Sequence, residues 1–196
     1  MKGLRPLAHV AHRARGAGIA GLVVMATLVA SPARAADVDF SSPGLLTSVG
    51  QSVDVAIVKV LLNTQLKLGL EYKPTAQPAD LAGMKTLVVV LGFSTKGLGA
   101  AGLDMAKEIA RARALMKAAR SQGVKVLAMH TGGAARRGRT SDDLIELVVP
   151  DADCTIVVAS GNQDKLFNQL AAGRHAPVIE VEKTAAVGDA VKAIFK

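Results

Sequence analysis

The sequence predicts an α/β fold: a three-layer sandwich with a mostly parallel sheet of five or six strands, Rossmann-like or flavodoxin-like in arrangement. Apolar segments of strand length alternate with helical patterns five or six times, which is typical of a parallel sheet covered on both faces. Residues 85–91 are apolar almost throughout, as in a strand buried on both sides. Because crossovers between parallel strands are right-handed, these elements give a sandwich with helices on each face.

The first 35 residues have the pattern of a Sec-type signal peptide. The basic residues of its n-region are Lys2, Arg5, Arg13 and Arg15. An apolar stretch follows at 17–30, and residues 33–35 form a small-x-small ending. The apolar stretch is shorter than the roughly 20 residues that span a bilayer. We therefore expect cleavage after Ala35, a single α/β domain over 36–196, a periplasmic or secreted location, and no membrane attachment after cleavage.

Charge and aromatic content exclude one class of partner. Beyond residue 35 the chain has 19 basic and 16 acidic residues, a net charge of +3, with one Tyr, four Phe and no Trp. So few aromatic side chains provide no surface on which bases would stack, so we expect no nucleic-acid partner. Cys154 is the only cysteine, which precludes an internal disulfide, and we expect a buried thiol. The oligomeric state stays open.

The first half of the domain is predicted to contain three strands and two helical segments. Residues 45–49 and 70–72 are predicted to be short strands that precede the strand at 85–91. Residues 52–66 are apolar on nearly every face, which predicts a deeply packed helix. Pro78 suits the first position of a helical turn, because the proline lacks an N–H that would go unpaired there.

The second half begins with the clearest helix, at 103–122. Ala106 and Ala110 lie on its predicted apolar side, and Arg111 points elsewhere. Gly123 is expected to end the helix. The remaining predicted strands are 124–130, 154–159 and 178–181, and the remaining helices are 140–147, 162–172 and 185–195.

Polar, glycine-containing segments follow four of the predicted strands. They are residues 48–52, 92–97, 131–137 and 160–162. The carboxyl ends of parallel strands are where such sheets bind ligands, so we expect a small anionic ligand held there by backbone N–H groups and basic side chains. The predicted ligand-binding residues are Ser48, Gly50, Gln51, Ser52, Ser94, Lys96, Gly97, Arg136, Arg137 and Asn162. A solvated basic loop around residues 136–139 is the alternative interpretation.

No cofactor or metal site is predicted. Residues 97–102 read G-x-G-x-x-G, but several residues separate them from the strand, and no acidic residue follows the strand that ends at His130. Leu98 occupies the position that a P-loop gives to lysine. His130 and His175 are far apart and have no neighbouring ligands at metal-binding spacing.

Two alternative functions stay open, and no catalytic residue is assigned. A serine hydrolase would use Ser52 or Ser94 with His130 as the base, although Asp54 stands where a nucleophile elbow needs glycine. A partner-binding module would use the same loops only as turns. In that case Ser52 and Asn162 are helix caps, and Thr140 or Ser141 caps a helix whose first turn contains Asp142 and Asp143.

The four loop segments together resemble a known family. They read LTSVGQS at 46–52, STKGLGAAG at 94–102, GGAARRG at 132–138 and SGNQD at 160–164. These segments are similar to those of exported bacterial α/β proteins known as a domain of unknown function. The resemblance covers about residues 40–196. It implies a single exported domain and transfers no activity to any residue.

Overall fold

One six-stranded, all-parallel sheet organises residues 38–196, which are the residues that the computed structural model describes. The strand order is β2-β1-β3-β4-β5-β6. The strands are β1 Gly44–Val49, β2 Glu71–Tyr72, β3 Thr86–Leu91, β4 Lys125–His130, β5 Cys154–Val158 and β6 Val178–Val181. The first five follow the flavodoxin-like order, and β6 extends the sheet. The α/β prediction and all six predicted strands are confirmed. The predicted signal peptide lies outside the described residues.

Helices cover both faces of the sheet. They are α1 Asp54–Lys59, α2 Thr95–Ala100, α3 Met105–Gln122, α4 Arg139–Val148, α5 Leu166–Ala171 and α6 Val187–Ile194. A π-helical segment, Val60–Gln65, continues α1, and a 3-10 turn, Pro78–Leu81, begins with the proline as predicted. No helix within residues 38–196 is long and apolar enough to cross a membrane.

Two apolar cores lie on opposite sides of the sheet. Alternate strand residues face α3, α4 and α5 on one side and α1 and α6 on the other. Leu87 and Val89 of β3 belong to the first core, and Val88 and Val90 belong to the second. Cys154 lies in the second core, as predicted, and burial raises the pKa of its thiol to about 12. The fold is therefore a three-layer sandwich.

The strand order creates one switch point. From β1 the chain continues into a helix on one face of the sheet, whereas from the neighbouring β3 it continues into α3 on the other face. Connections that leave in opposite directions open a crevice outside the carboxyl ends of the two strands. The predicted loop segments 48–52 and 92–97 lie at this position.

The prediction of a deeply packed helix at 52–66 is wrong for its outer face. Val53 is 61% exposed, Ile57 46% and Val60 50%. Val55 and Val58 are buried against the sheet, as expected. A helix in an outer layer has one side without a neighbour, and an apolar composition does not reveal which side that is.

The G-x-G-x-x-G segment lies largely within α2, a short helix that the sequence analysis did not predict. The Ser94 hydroxyl accepts a hydrogen bond from Gly97 N–H at 3.0 Å and so caps the helix. The segment is therefore not an extended phosphate-binding loop between strand and helix. Glycine lowers helix propensity, which concealed this element in the sequence.

The buried side of α3 also differs from the prediction. Arg111, expected to point away from the core, is buried together with Glu108. Ala106 and Ala110, expected on the apolar side, are exposed. The apolar residues of this helix are mostly alanines, so their spacing marks the buried side weakly. Gly123 ends the helix in the left-handed conformation, as predicted.

Candidate functional site

The polar segments meet at one edge of the sheet, because all six strands run parallel. The loops after β1 and β3 are in direct contact, and Ser94 N–H donates to the Gly50 carbonyl oxygen at 2.8 Å. A side chain at Gly97 would overlap the Gln51 carbonyl oxygen. The loops after β4 and β5 pack together around Gly133. The edge is therefore closely packed, and space for a ligand is confined to particular positions.

A buried ion pair on α3 holds the loop after β1. Glu108 Oε1 accepts hydrogen bonds from Gly50 N–H at 2.7 Å and from Gln51 Nε2 at 3.1 Å. Arg111 donates to both oxygens of Glu108, at 2.8 Å each. Burial raises the pKa of Glu108, but these hydrogen bonds outweigh burial and hold the pKa below its usual range. The carboxylate is therefore ionised and fixes the loop backbone.

The same arginine connects two further segments. Arg111 Nη1 donates to the Ala76 carbonyl oxygen at 2.8 Å, and Nη2 donates to the Ser48 carbonyl oxygen at 2.5 Å. A planar guanidinium with several donors suits such a junction. Glu108 and Arg111 were missed by the sequence analysis, because charged residues three positions apart on a helix usually form an exposed pair.

Ser52, Asp54 and Arg136 form a second cluster at the start of α1. Ser52 Oγ donates to Asp54 Oδ2 at 3.0 Å, and Arg136 Nε lies 3.3 Å from the same oxygen. Ser52 and Asp54 are buried, whereas the Arg136 side chain is 36% exposed. The helix-cap prediction for Ser52 is wrong, because α1 begins after Val53 with no side-chain cap, and the Ser52 hydroxyl donates to the Asp54 carboxylate instead.

Arg137 joins three loops through its own ion pairs. Its Nε donates to Asp142 Oδ1 at 2.7 Å and its Nη2 donates to Asp164 Oδ2 at 2.8 Å. It also donates to the Gly161 carbonyl oxygen and stacks 5.7 Å from the centre of the Phe167 ring. The two carboxylates raise the pKa of Arg137, and Arg137 lowers the pKa of Asp164 to about 2. The guanidinium is thus engaged within the protein.

Asn162 also contacts only neighbouring protein groups. Its Nδ2 donates to Asn168 Oδ1 at 2.7 Å and to Glu180 Oε1 at 3.0 Å. Its Oδ1 accepts a hydrogen bond from Phe167 N–H at 3.1 Å, within the first turn of α5. The fully buried side chain therefore pairs one N–H group of the first turn of α5, but the residue at the N-cap position is Lys165 and not the expected Asn162.

The remaining predicted residues differ in their availability to a ligand. Ser48 is buried, and its hydroxyl lies 3.5 Å from the Val90 carbonyl oxygen. Ser94 caps α2, as described above. Lys96 is exposed, and among the described residues no carboxylate lies within 4 Å of its ammonium group.

His130 is the last residue of β4 and is completely buried. Its Nε2 lies 3.4 Å from the Arg136 carbonyl oxygen, and its Nδ1 has no partner within residues 38–196. Its ring packs against Phe167 with centroids 5.4 Å apart. Burial lowers the pKa of His130. No hydrogen bond joins it to Ser52 or Ser94 in the described part of the chain, so the geometry gives the hydrolase alternative no support.

A cavity of about 200 Å³ lies at the start of α4. It is lined by Phe93 from the loop after β3 and by residues 137–141. Gly138 is the residue that precedes the helix, and no side chain caps the first turn. Arg139 is exposed, and within residues 38–196 no carboxylate lies within 4 Å of its guanidinium.

The prediction that Thr140 or Ser141 caps α4 is wrong. The helix begins one residue earlier, after Gly138, whose φ of 132° starts the first turn. The Ser141 hydroxyl instead accepts a hydrogen bond from Phe93 N–H at 3.3 Å. The serine thereby ties α4 to the loop after β3 and forms one wall of the cavity.

Comparison with known proteins places the chain in a family. Residues 41–195 match the family described as Domain of unknown function (DUF6305). The chain belongs to this family. Searches of the curated proteins and of the solved structures found no match. The resemblance inferred from the loop segments is therefore confirmed for the domain family, and export stays a prediction.

In this DUF6305 domain the pH dependence of stability is expected to involve His130. A lowered pKa means that the unfolded chain binds a proton more readily than the folded chain does. The contribution of His130 is therefore complete above its usual pKa of 6.5 and is lost as the pH falls below that value. Urea unfolding at pH 7.5, 6.5 and 5.5 should show decreasing stability.

Substitution of His130 tests whether this residue causes the pH dependence of stability. We expect His130→Gln to flatten the pH dependence over this range, since the replacement cannot take up a proton. His175→Gln, at an exposed position, serves as the matched control and should keep the original slope. A His130→Gln variant with the unchanged slope would remove His130 from the explanation.

Proposed function

We propose that this DUF6305 domain binds a small anion, such as a phosphate or carboxylate group, in the cavity at the start of α4. The observation that carries the proposal is an open cavity at the carboxyl-terminal edge of the sheet, lined by a basic residue that has no carboxylate partner among the described residues. The cavity contains Arg139 and the uncapped first turn of α4. The proposal therefore moves the predicted site from the strand ends as a whole to one position on that edge.

The electrostatic balance of the surroundings favours an anion there. The positive charge of Arg136 is compensated by Asp54, and that of Arg137 by Asp142 and Asp164. Arg139 has no such compensation among the described residues. The N–H groups of the first turn of α4 add partial positive charge, because their dipoles align with the helix axis. Lys96, on α2 beyond Phe93, contributes a further positive charge at this edge.

The size of the cavity limits the ligand. Pockets for drug-sized molecules occupy about 300–1,000 Å³, so a volume of about 200 Å³ fits a small anion or one anionic group of a larger molecule. Thr140 and Ser141 are among the lining residues, and a hydroxyl can donate to an oxygen atom of a ligand. Arg137 and Ser141 are fixed by their own hydrogen bonds to other protein groups, so the walls of the cavity are already ordered. Less conformational entropy is therefore lost when a ligand binds.

Calorimetric titration with inorganic phosphate and with sulfate at constant ionic strength tests the proposal. We expect saturable binding that Arg139→Ala weakens about tenfold or more, because a hydrogen bond to a charged group contributes about 1.5–3 kcal/mol. Arg113→Ala is the matched control. Arg113 is an exposed arginine on α3 and lies outside this cavity, so its loss should leave the affinity unchanged.

Two outcomes would contradict the proposal. One is an equal loss of affinity in the two arginine variants, which would indicate nonspecific attraction to a basic surface. The other is the absence of saturable binding for all anions tested, with the folded state of the protein verified by its unfolding transition.

A further inference from the structure

The outer side of α1, with the residue on either end of it, carries a row of exposed apolar side chains. We name it the α1 stripe and define it as Val53, Ile57 and Val60. The three residues stand four and then three positions apart, which places them on one side of the helix. They are the large hydrophobic residues in 38–196 that are highly exposed. Ala56, in the same helix, is also exposed.

The fold does not need this row. The opposite side of the helix supplies Val55, Val58 and Leu62 to the core beneath α1. Single exposed apolar residues are ordinary on protein surfaces, but a contiguous row marks a site of interaction. The α1 stripe is separate from the small cavity at α4, which it does not line.

The exposed charged residues within 53–68 are both basic. Lys59 is exposed at the end of α1, and Lys67 is exposed just after the π-helical segment that continues α1. Lys59 Nζ lies 4.6 Å from the centre of the Tyr72 ring, and within residues 38–196 no carboxylate lies within 4 Å of either ammonium group. Asp54 is the only acidic residue in 53–68, and it is buried against Ser52 and Arg136.

The acidic residue of the neighbouring strand β2 is already paired with a lysine. Glu71 of β2 binds Lys73 at 2.8 Å. The face therefore combines apolar anchors with uncompensated positive charge, and the complementary surface has apolar side chains flanked by acidic ones. A second copy of this chain, meeting the first stripe to stripe, would bring two more lysines and no available carboxylate. The charge pattern thus disfavours self-association through this face.

We propose that the α1 stripe is the docking surface for a segment of another protein whose apolar side chains are flanked by aspartate or glutamate. The apolar side chains of that segment pack against Ile57 and its two neighbours in the row. Its carboxylates pair with Lys59 and Lys67 at the rim. Rim charges of this kind mainly raise the association rate and select the partner, while the apolar contact supplies most of the affinity.

Site-specific crosslinking in the cells that produce the protein tests this proposal. A photoreactive benzoylphenylalanine replaces Ile57 in the full chain, and the crosslinked peptides are sequenced by mass spectrometry. We expect one dominant adduct with a different protein, attached at a segment that has acidic residues around apolar ones. Lys59→Glu with Lys67→Glu should reduce its yield at least tenfold. Lys117→Glu, an exposed lysine on α3, is the control and should leave the yield unchanged.

Any of four results would overturn the proposal. They are the absence of an adduct, an adduct with a second copy of the chain, an adduct at a segment without acidic residues, and an adduct whose yield resists the charge reversal. Thermal unfolding of each variant verifies that a lost adduct does not reflect a lost fold. Because all substituted positions are exposed, we expect the unfolding temperature to stay close to that of the parent protein.

Discussion

Replacing Arg111 by methionine should lower the free energy of unfolding by about 3–5 kcal/mol. The substitution leaves the Glu108 carboxylate buried without its counter-ion and removes donors from the Ala76 and Ser48 carbonyl oxygens. Unpaired buried charge is among the costliest defects that a single substitution creates. Urea unfolding at pH 7.5 measures the change.

Two further variants show whether the loss comes from the uncompensated charge. Lys107→Met disrupts the exposed pair with Asp104 at the start of the same helix, so it should leave the free energy of unfolding close to that of the parent protein. The double variant Glu108→Gln with Arg111→Met removes the charge yet keeps an oxygen to accept from Gly50 N–H. We expect it to be more stable than Arg111→Met alone. If the Arg111→Met protein were nearly as stable as the parent, the buried hydrogen bonds between α3 and the loop after β1 would not contribute to stability as described.

Alanine at Gly97 should destabilise the protein by about 3 kcal/mol, at the upper end of the usual cost of overpacking. A methyl group there would overlap the Gln51 carbonyl oxygen, which belongs to the backbone of the loop after β1, and hydrogen bonds hold this loop against the segment that leads into α2. Gly99 lies in the same short helix and has no atom within 4 Å of the position of such a methyl group. Gly99→Ala should therefore stabilise the protein by up to about 1 kcal/mol, through helix propensity alone.

Because the two substitutions are expected to change the free energy of unfolding in opposite directions, they separate the effect of packing from that of helix propensity. Thermal or urea unfolding of both variants measures them side by side. If Gly97→Ala and Gly99→Ala change stability equally, the close approach of α2 to the loop after β1 is absent in solution.

The fold could be predicted because its signals are local and repeated. The strand at 85–91 is predicted by its continuous apolar run. A buried strand of this kind can be recognised from its own sequence, without knowing which strands lie beside it. The prediction failed for helices whose sequence has low helix propensity, or whose apolar residues occur on both sides. In α2 the glycines concealed the helix, and in α1 the apolar residues occur on both the buried and the exposed side.

The location of the polar loops was predictable, but the role of each residue in them was not. Arg136 and Arg137 are adjacent and chemically identical, yet Arg137 is enclosed by carboxylates from α4 and from the loop after β5, while Arg136 is partly exposed. Those partners are brought together only by folding. The sequence analysis gave Arg139 only as part of a basic loop. Its place in the proposed anion site follows from the cavity that it lines.

Amide NMR of the protein during titration with inorganic phosphate, at constant ionic strength, tests the anion site most directly. We expect saturable chemical-shift changes concentrated at residues 138–141 and at Phe93, the residues that surround the cavity. The same titration of Arg139→Ala should show these changes only at higher phosphate concentrations. Changes spread over exposed lysines and arginines without saturation, or saturable changes centred on another part of the sheet edge, would contradict the assignment of the site to the start of α4.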